Sequence, residues 1–357
     1  MLVSVKPILS VIIATYNSEK TLPLVLSALK EQSIDKRKME ILLLDGGSKD
    51  STKKIGREFG CQIINNPRTE PVYAKFLGYK KAKGKYIVYL DHDEVLQNPD
   101  SFKIRINCLE KEKDVKCVLV SGYRNPHGYP FINEYINEFG DPFSCFIYRL
   151  SKSADFFLSS MSKKYRIVKD TTKYTIFSLK DIKTMPIIEL CAAATMTDKR
   201  YMQAEFPETM DRPDLIPHFF YLLLSKSPKV AITKEDTILH YSADTLGKYL
   251  NKIRWRVKNN IYHIKDMGMS GFTGRNTYNS FFMQQKKYLF LPYVYSFFPL
   301  FLDTVYLIYT RRNIGYILHI PLSLFTANLI VYHTFIKLLG RSQVLKSYDE
   351  SKTVSIK

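Results

Sequence analysis

Asp91-His92-Asp93 sets two carboxylates two residues apart, directly after the apolar run Tyr86-Ile-Val-Tyr-Leu90. Where a chain leaves a sheet, carboxylates so spaced can hold a hard divalent cation, magnesium or manganese, which bridges and neutralises a diphosphate. Two aspartates at this spacing are common on solvated loops, so the weight of the motif comes from its place in the chain. Asn17 and Asp45 close two earlier apolar runs in the same way. The charge balance, 53 Lys+Arg against 34 Asp+Glu for a net +19, draws polyanions: nucleic acid, anionic lipid or phosphate-bearing substrates. The cysteines, Cys61, Cys108, Cys117, Cys145 and Cys191, are odd in number and share no metal-ligand spacing, which excludes a disulfide scaffold and reads as small core hydrophobes.

The elements that must position these residues alternate along the first 95 residues. Ile8–Ala14, Glu40–Asp45, Gln62–Asn65 and Tyr86–Asp91 are continuous apolar runs of the kind that form strands covered on both faces. Between them, Leu22, Val25, Leu26 and Leu29 recur at helical spacing, and comparable stretches run from Ser48 to Phe59 and from Pro71 to Ala82. Strand and helix in alternation predict a doubly wound α/β fold with a mostly parallel sheet, in which ligands collect at the strands' carboxyl ends. A helix over Ser101–Lys113 and a strand over Cys117–Ser121 follow; residues 125–190 show no readable pattern.

The C-terminal third changes character. Tyr288–Tyr309 carries Asp303 as its one charge, and Ile314–Ile336 contains no Lys, Arg, Asp or Glu. At ~1.5 Å rise per residue either run covers the ~30 Å of a bilayer core, which predicts a transmembrane hairpin turning at Thr310-Arg311-Arg312-Asn313. Asp303 must then face a partner helix or an interface. Lys286, Lys287, Lys337, Arg341 and Lys346 outside the pair put both termini in the cytoplasm. The expected division is an α/β domain at 1–245, a basic juxtamembrane helical region at 246–287, the hairpin at 288–340 and a cytoplasmic tail at 341–357. Deleting residues from 288 onward is expected to leave the α/β domain intact.

In order and spacing, several segments resemble the inverting family 2 glycosyltransferases: Ser10-Val-Ile-Ile-Ala-Thr-Tyr-Asn17, Ile41-Leu-Leu-Leu-Asp45-Gly-Gly-Ser48-Lys-Asp50-Ser-Thr52, Tyr73-Ala-Lys75, Ala82-Lys-Gly84-Lys-Tyr-Ile and Leu90-Asp91-His-Asp93. Ala14 departs from the family's Pro, and Gly46 from a frequent acidic or amide residue. The resemblance implies a GT-A fold and a nucleotide-sugar site. Thr15, Tyr16, Asn17 and Glu19 would line the base and ribose, Asp45 would contact the nucleoside and Lys75 the diphosphate. It further implies that Asp91, Asp93 and His240 gather the metal. Asp211, in Glu208-Thr209-Met210-Asp211, would be the general base, with Asp214 as its competitor. Asn251-Lys-Ile-Arg254-Trp255 is similar to the Gln-x-x-Arg-Trp motif of processive synthases, which puts Arg254 and Trp255 near the leaving diphosphate or an acceptor phosphate.

The expected activity is metal-dependent, inverting transfer from a UDP- or GDP-linked sugar to a hydroxyl of a polyprenyl-linked or cell-surface glycan acceptor, at the cytoplasmic face of the cell membrane. The alternative is direct transfer to a polyprenyl phosphate, whose oxygen is ionised near pH 7 and needs no base. A non-catalytic, basic nucleotide- or nucleic-acid-binding protein is the remaining class; the basic residues are not interleaved with a recognition-helix or RNA-stacking motif, and two long apolar runs do not suit it.

Overall fold

The computed structural model describes residues 6–180, 182, 185, 186, 188, 192–263, 273–344 and 346. Its strands are β1 (Leu9–Thr15), β2 (Met39–Asp45), β3 (Gln62–Asn65), β4 (Tyr86–Asp91), β5 (Glu94–Leu96), β6 (Val115–Leu119), β7 (Gly122–Arg124), β8 (Arg166–Asp170), β9 (Tyr174–Ser178), β10 (Met196–Asp198), β11 (Lys229–Thr233) and β12 (Thr237–His240). Nine form one sheet in the order β3-β2-β1-β4-β10-β6-β11-β9-β8. The β3-β2-β1-β4 half is parallel, as the alternation predicts, whereas β10 is inserted antiparallel between β4 and β6. Leu9, Val11, Ile12 and Ile13 are fully buried because helices cover both faces of β1.

The helices fall where periodicity places them: Leu22–Glu31, Thr52–Glu58, Pro71–Lys81 and Ser101–Lys111. Gly84 marks a close approach, since a Cβ there would lie 2.7 Å from the Ser10 backbone nitrogen. Residues 125–190, unreadable as sequence, contain helices Phe131–Phe139, Pro142–Tyr148 and Phe157–Ser162 and the antiparallel β8–β9 edge. Cys61, Cys108, Cys117 and Cys145 are buried free thiols, as expected; Cys191 lies outside the described residues.

A second sheet, β5-β12-β7, decides the site. Its register sets His240 opposite Glu94, so the end of β12 comes to the loop that carries Asp91 and Asp93.

The C-terminal helices depart from the predicted hairpin. The first apolar run is broken: Phe281–Tyr295 and Phe298–Arg311 meet at 90°, with the bend at Ser296 and Phe297, whose φ is +61°. Ile314–Leu338 is the one helix long and apolar enough to cross a membrane among the described residues. The turn between the runs packs on the α/β domain: Arg311 donates to Glu138 at 2.8 Å, and the Tyr316 hydroxyl donates to the other Glu138 oxygen. Asp303 pairs with Arg149 at 2.5 Å and accepts from the Tyr293 hydroxyl at 2.7 Å. The turn of the expected two-helix hairpin is thus held by buried charges of the α/β domain.

Candidate active site

Thr15 and Asp45 end β1 and β2 as register partners, and both are buried. One Asp45 oxygen accepts from the backbone N–H groups of Gly47 and Ser48, both at 3.0 Å; among the described residues the other has no hydrogen-bond partner, and neither does the Thr15 hydroxyl. Buried acceptors without donors are rare and suit a bound ligand's N–H and O–H groups, which supports the nucleoside placement implied by the resemblance. Gly46 is explained by packing, since a Cβ would come within 3.2 Å of Thr69. Tyr16 is half-buried beside this pair.

Asn17 and Glu19 act differently from the expectation that they line base and ribose. Both are exposed, and each accepts a backbone hydrogen bond at 3.0 Å from the β2 loop, from Lys49 and Ser51. They fasten the two loops together. Positive φ at Asn17 (+48°) suits that turn, a conformation Asn tolerates.

The two aspartates of the Asp-x-Asp motif separate in role. Asp91 Oδ1 lies 2.8 Å from the Lys75 ammonium, itself buried in the helix Pro71–Lys81. Asp93 Oδ2 instead faces His240 Nε2 at 3.7 Å. His240 Nδ1 lies 2.7 Å from Asn137 Oδ1, an oxygen that can only accept, so the ring proton sits on Nδ1 and Nε2 turns its lone pair towards the carboxylate. Burial pushes the imidazole down to about 4, so it is neutral at pH 7. A lone pair and a carboxylate facing one another at this distance repel unless a cation lies between them, and imidazole nitrogen with carboxylate oxygen is a donor set suited to manganese or magnesium. Among the described residues no three His, Cys, Asp or Glu side chains form a ready cage. Asp93 and His240 fit a divalent cation, while the Oδ1 of Asp91, the third expected ligand, is paired with Lys75.

Glu94, which sequence reasoning missed, holds the loop's shape. Its carboxyl is buried, accepts from the Asp91 N–H at 3.1 Å and the Tyr123 hydroxyl at 2.8 Å, and is pushed up to about 8 by burial beside Asp91 and Asp93. It also accepts at 3.2 Å from the N–H of Ala193, which with Ala194 adopts positive φ above the loop. The one signal available was a charged residue opening the apolar run Glu94-Val-Leu.

Arg254 and Asp211 are not brought to the site. Arg254 is on the outer face of helix Leu246–Tyr262, 2.7 Å from Asn251 and over the Phe325 ring. Lys252 and Arg256, four residues apart, face inward instead: Lys252 donates to Ser242 and is lowered to about 8 by burial, while Arg256 pairs with Asp141 at 3.0 Å. Asp211 is largely exposed and lies 3.4 Å from Lys80, which is turned about 140° around its helix from Lys75. Asp214 pairs with Arg212 at 2.5 Å on the surface.

Beside the cluster opens a cavity of about 700 Å³, whose lining includes the polar Lys75, Asp141 and Arg256, the ring of Trp255 and the apolar Leu291 and Ile330.

Residues 10–164 match the model for glycosyl transferase family 2. Among curated proteins, the chain is 32% identical over 96 residues to glycosyltransferase AglE of Haloferax volcanii, covering 25% of this chain and 32% of that protein. It is 30% identical over 112 residues to 4,4'-diaponeurosporenoate glycosyltransferase of Staphylococcus haemolyticus, covering 29% of each. The matches thus span about a third of these relatives' length. Among solved structures, a mannosyltransferase from Pyrobaculum calidifontis in complex with GDP-Man and Mn2+ shares the fold, with TM-score 0.53, 12% identity, and coverage of 95% of this chain and 89% of that one. Residues 10–164 are thus similar to glycosyl transferase family 2, and the parallel β3-β2-β1-β4 half-sheet with the Asp-x-Asp loop at its carboxyl edge belongs to a GT-A-like fold.

Proposed function

We propose that the chain transfers a sugar, with inversion, from a nucleoside diphosphate donor to the phosphate of a lipid acceptor at the cytoplasmic face of the cell membrane. The cavity carries this reading: its lining combines Lys75, which pairs with Asp91, and the cations Lys152 and Arg256 with Leu291 and Ile330 of the apolar C-terminal helices. An anionic head with a long apolar tail suits a lining that holds both cations and apolar side chains. The mannosyltransferase bound to GDP-Man and Mn2+ supports a nucleoside diphosphate-linked donor such as a GDP-sugar, and the relative named for 4,4'-diaponeurosporenoate supports an apolar acceptor.

In this reading residues 1–245 form the catalytic domain, 246–287 the basic connection, 288–340 the apolar helices and 341–357 the tail. Asp45 and Thr15 accept hydrogen bonds from the nucleoside. Asp93 and His240 hold a divalent cation, which when bound supplies Lewis-acid stabilisation of the diphosphate. Lys75 and Lys252 add positive charge where the leaving diphosphate gains negative charge. The acceptor oxygen attacks the anomeric carbon from the face opposite the diphosphate, a C–O bond forms, and the bond to the diphosphate breaks with its electron pair leaving on oxygen. No covalent intermediate is required.

The carboxylates that line the cavity are already engaged: Glu70 accepts from Val72 and Tyr73 N–H, both at 2.7 Å, and Asp141 pairs with Arg256. An ionised phosphate needs no base, so the off-site position of Asp211 favours the phosphate acceptor over the hydroxyl. The test is transfer by the purified chain from a panel of UDP- and GDP-sugars, with and without manganese, to polyprenyl phosphate and to glycan acceptors. Product on polyprenyl phosphate, with Asp211→Asn as active as the parent, is the expected result. Transfer confined to hydroxyl acceptors, with Asp211→Asn slowed by about 10²-fold or more, would restore Asp211 as the base.

A further inference from the structure

The C-terminal helices are polarised the wrong way for water. Along Phe298–Arg311 the exposed positions are Phe298, Phe301, Leu302, Val305, Tyr306 and Tyr309, a stripe at three- and four-residue spacing and apolar throughout. The charged side chains of the same helix turn inward, Asp303 to Arg149 and Arg311 to Glu138. The last turns of helix His319–Leu338 expose Val331, Tyr332, Phe335 and Leu338 beside Thr334 and Lys337, while His319, Ser323, Thr326 and His333 are buried. A helix facing water does the reverse, so the medium these stripes meet is apolar.

We propose that these two stripes rest in the surface layer of a lipid bilayer, with both helices lying in its plane and neither crossing it. The ends of the second helix decide between lying and crossing. Near its start, Tyr316 bonds Glu138, and a Cβ on Gly315 would meet the Phe131 ring at 2.5 Å; near its end, the Tyr262 hydroxyl donates to the His333 carbonyl at 3.0 Å. Phe131 and Glu138 sit on one helix, and Tyr262 belongs to the helix whose Tyr249 donates to Gly140 at 3.2 Å, next to it. Both ends of Ile314–Leu338 are thus tied to one α/β body. Crossing the membrane would carry the buried Glu138–Arg311 pair and its surroundings into hydrocarbon.

The charge fits an anionic surface. Lys287, Arg312, Lys337 and Arg341 flank the stripes, and juxtamembrane cations of this kind are attracted to anionic headgroups. Tyr288, Tyr306, Tyr309 and Tyr332 are exposed on or beside the stripes, the arrangement amphipathic rings favour at headgroup depth. The inference needs neither donor nor acceptor, so it stands or falls apart from the transfer reaction.

The experiment adds the full-length chain to preformed vesicles of phosphatidylcholine alone or mixed with phosphatidylglycerol and follows flotation. The expected result is binding strengthened by phosphatidylglycerol and weakened by salt. Phe298→Glu, Tyr306→Glu and Phe335→Glu, all at solvent-facing positions, are each expected to weaken partition by about tenfold while keeping the parent circular dichroism. In a second arm, Arg312→Cys and Arg341→Cys are treated on the vesicles with a membrane-impermeant maleimide. Labelling of both positions at the same rate without detergent is expected. Protection of position 312 until detergent is added, or failure of the full-length chain to float with either vesicle, would overturn the proposal.

Discussion

Asp91 and Asp93 stand two residues apart and do different work, because the strand end points one at Lys75 and the loop turns the other to His240. Removing the Asp93 charge therefore removes half of the donor pair. Asp93→Asn is expected to weaken manganese-dependent nucleotide binding by about 10²-fold or more, measured by calorimetry, since even outer-shell losses at metal sites cost about 10–100-fold. Arg254 and Arg256 provide a matched contrast two residues apart on one helix. Arg256→Ala strips Asp141 of its cation and Gly140 of a 2.9 Å donor, and is expected to cost about 1–3 kcal/mol of stability in a urea melt. Arg254→Ala, on the outer face, is expected to fall within about 0.5 kcal/mol of the parent. Equal losses for both would show that the helix is rotated from the position described.

At the scale of elements, the strand β1 and the turn before β4 are locked by contact. The Gly84 N–H donates to the Ser10 hydroxyl at 2.9 Å, and the Ser10 hydroxyl donates to Glu40 at 2.5 Å, so three elements meet where no side chain fits. Gly84→Ala would force backbone apart and is expected to lower stability by about 1–3 kcal/mol, read as a shift of the urea midpoint at unchanged slope. Away from that turn, Arg105 joins helix Ser101–Lys111 to the loop before β12, with both its side chain and Asp236 fully buried at 3.5 Å. That pair supports Ala194, whose carbonyl also accepts from Arg105, and so braces the strained Ala193–Ala194 backbone above the site.

For the molecule as a whole, the apolar C-terminal run is part of the core. Phe290, Val294 and Leu300 are buried in the same cluster as Tyr89, Phe146 and Phe219 of the α/β domain. Deletion from residue 288 is accordingly not expected to leave an intact nucleotide-binding domain, because it uncovers that cluster. Phe290→Ala, which leaves the chain otherwise whole, is expected to lower unfolding free energy by about 3–5 kcal/mol in chemical denaturation. A loss below ~1 kcal/mol would mean that the helix docks without contributing to the fold, and the truncation would then be tolerated.

The half-sheet and its helices were determined by sequence, because each strand buried on both faces must be a continuous apolar run and each covering helix must repeat at three and four residues. Strand ends placed Asp45, Asp91 and Asp93, while Thr15, Lys75 and His240 were implied by the resemblance alone. What lay beyond both depended on pairs far apart in the chain. The register of β12 with β5 is what brings His240 to Asp93, and Glu94 is buried because Tyr123 and Ala193 close over it. Which of Lys252, Arg254 and Arg256 faces inward was set by the rotation of one helix against Gly140 and Asp141, which composition does not encode. The apolar run at 288–309 has the length to cross a membrane, and only tertiary structure bends it, since Arg149 draws Asp303 inward and Glu138 draws Arg311. Hydropathy counts apolar residues along the chain; whether they meet lipid, water or protein is decided by which side of the helix the charges are held on.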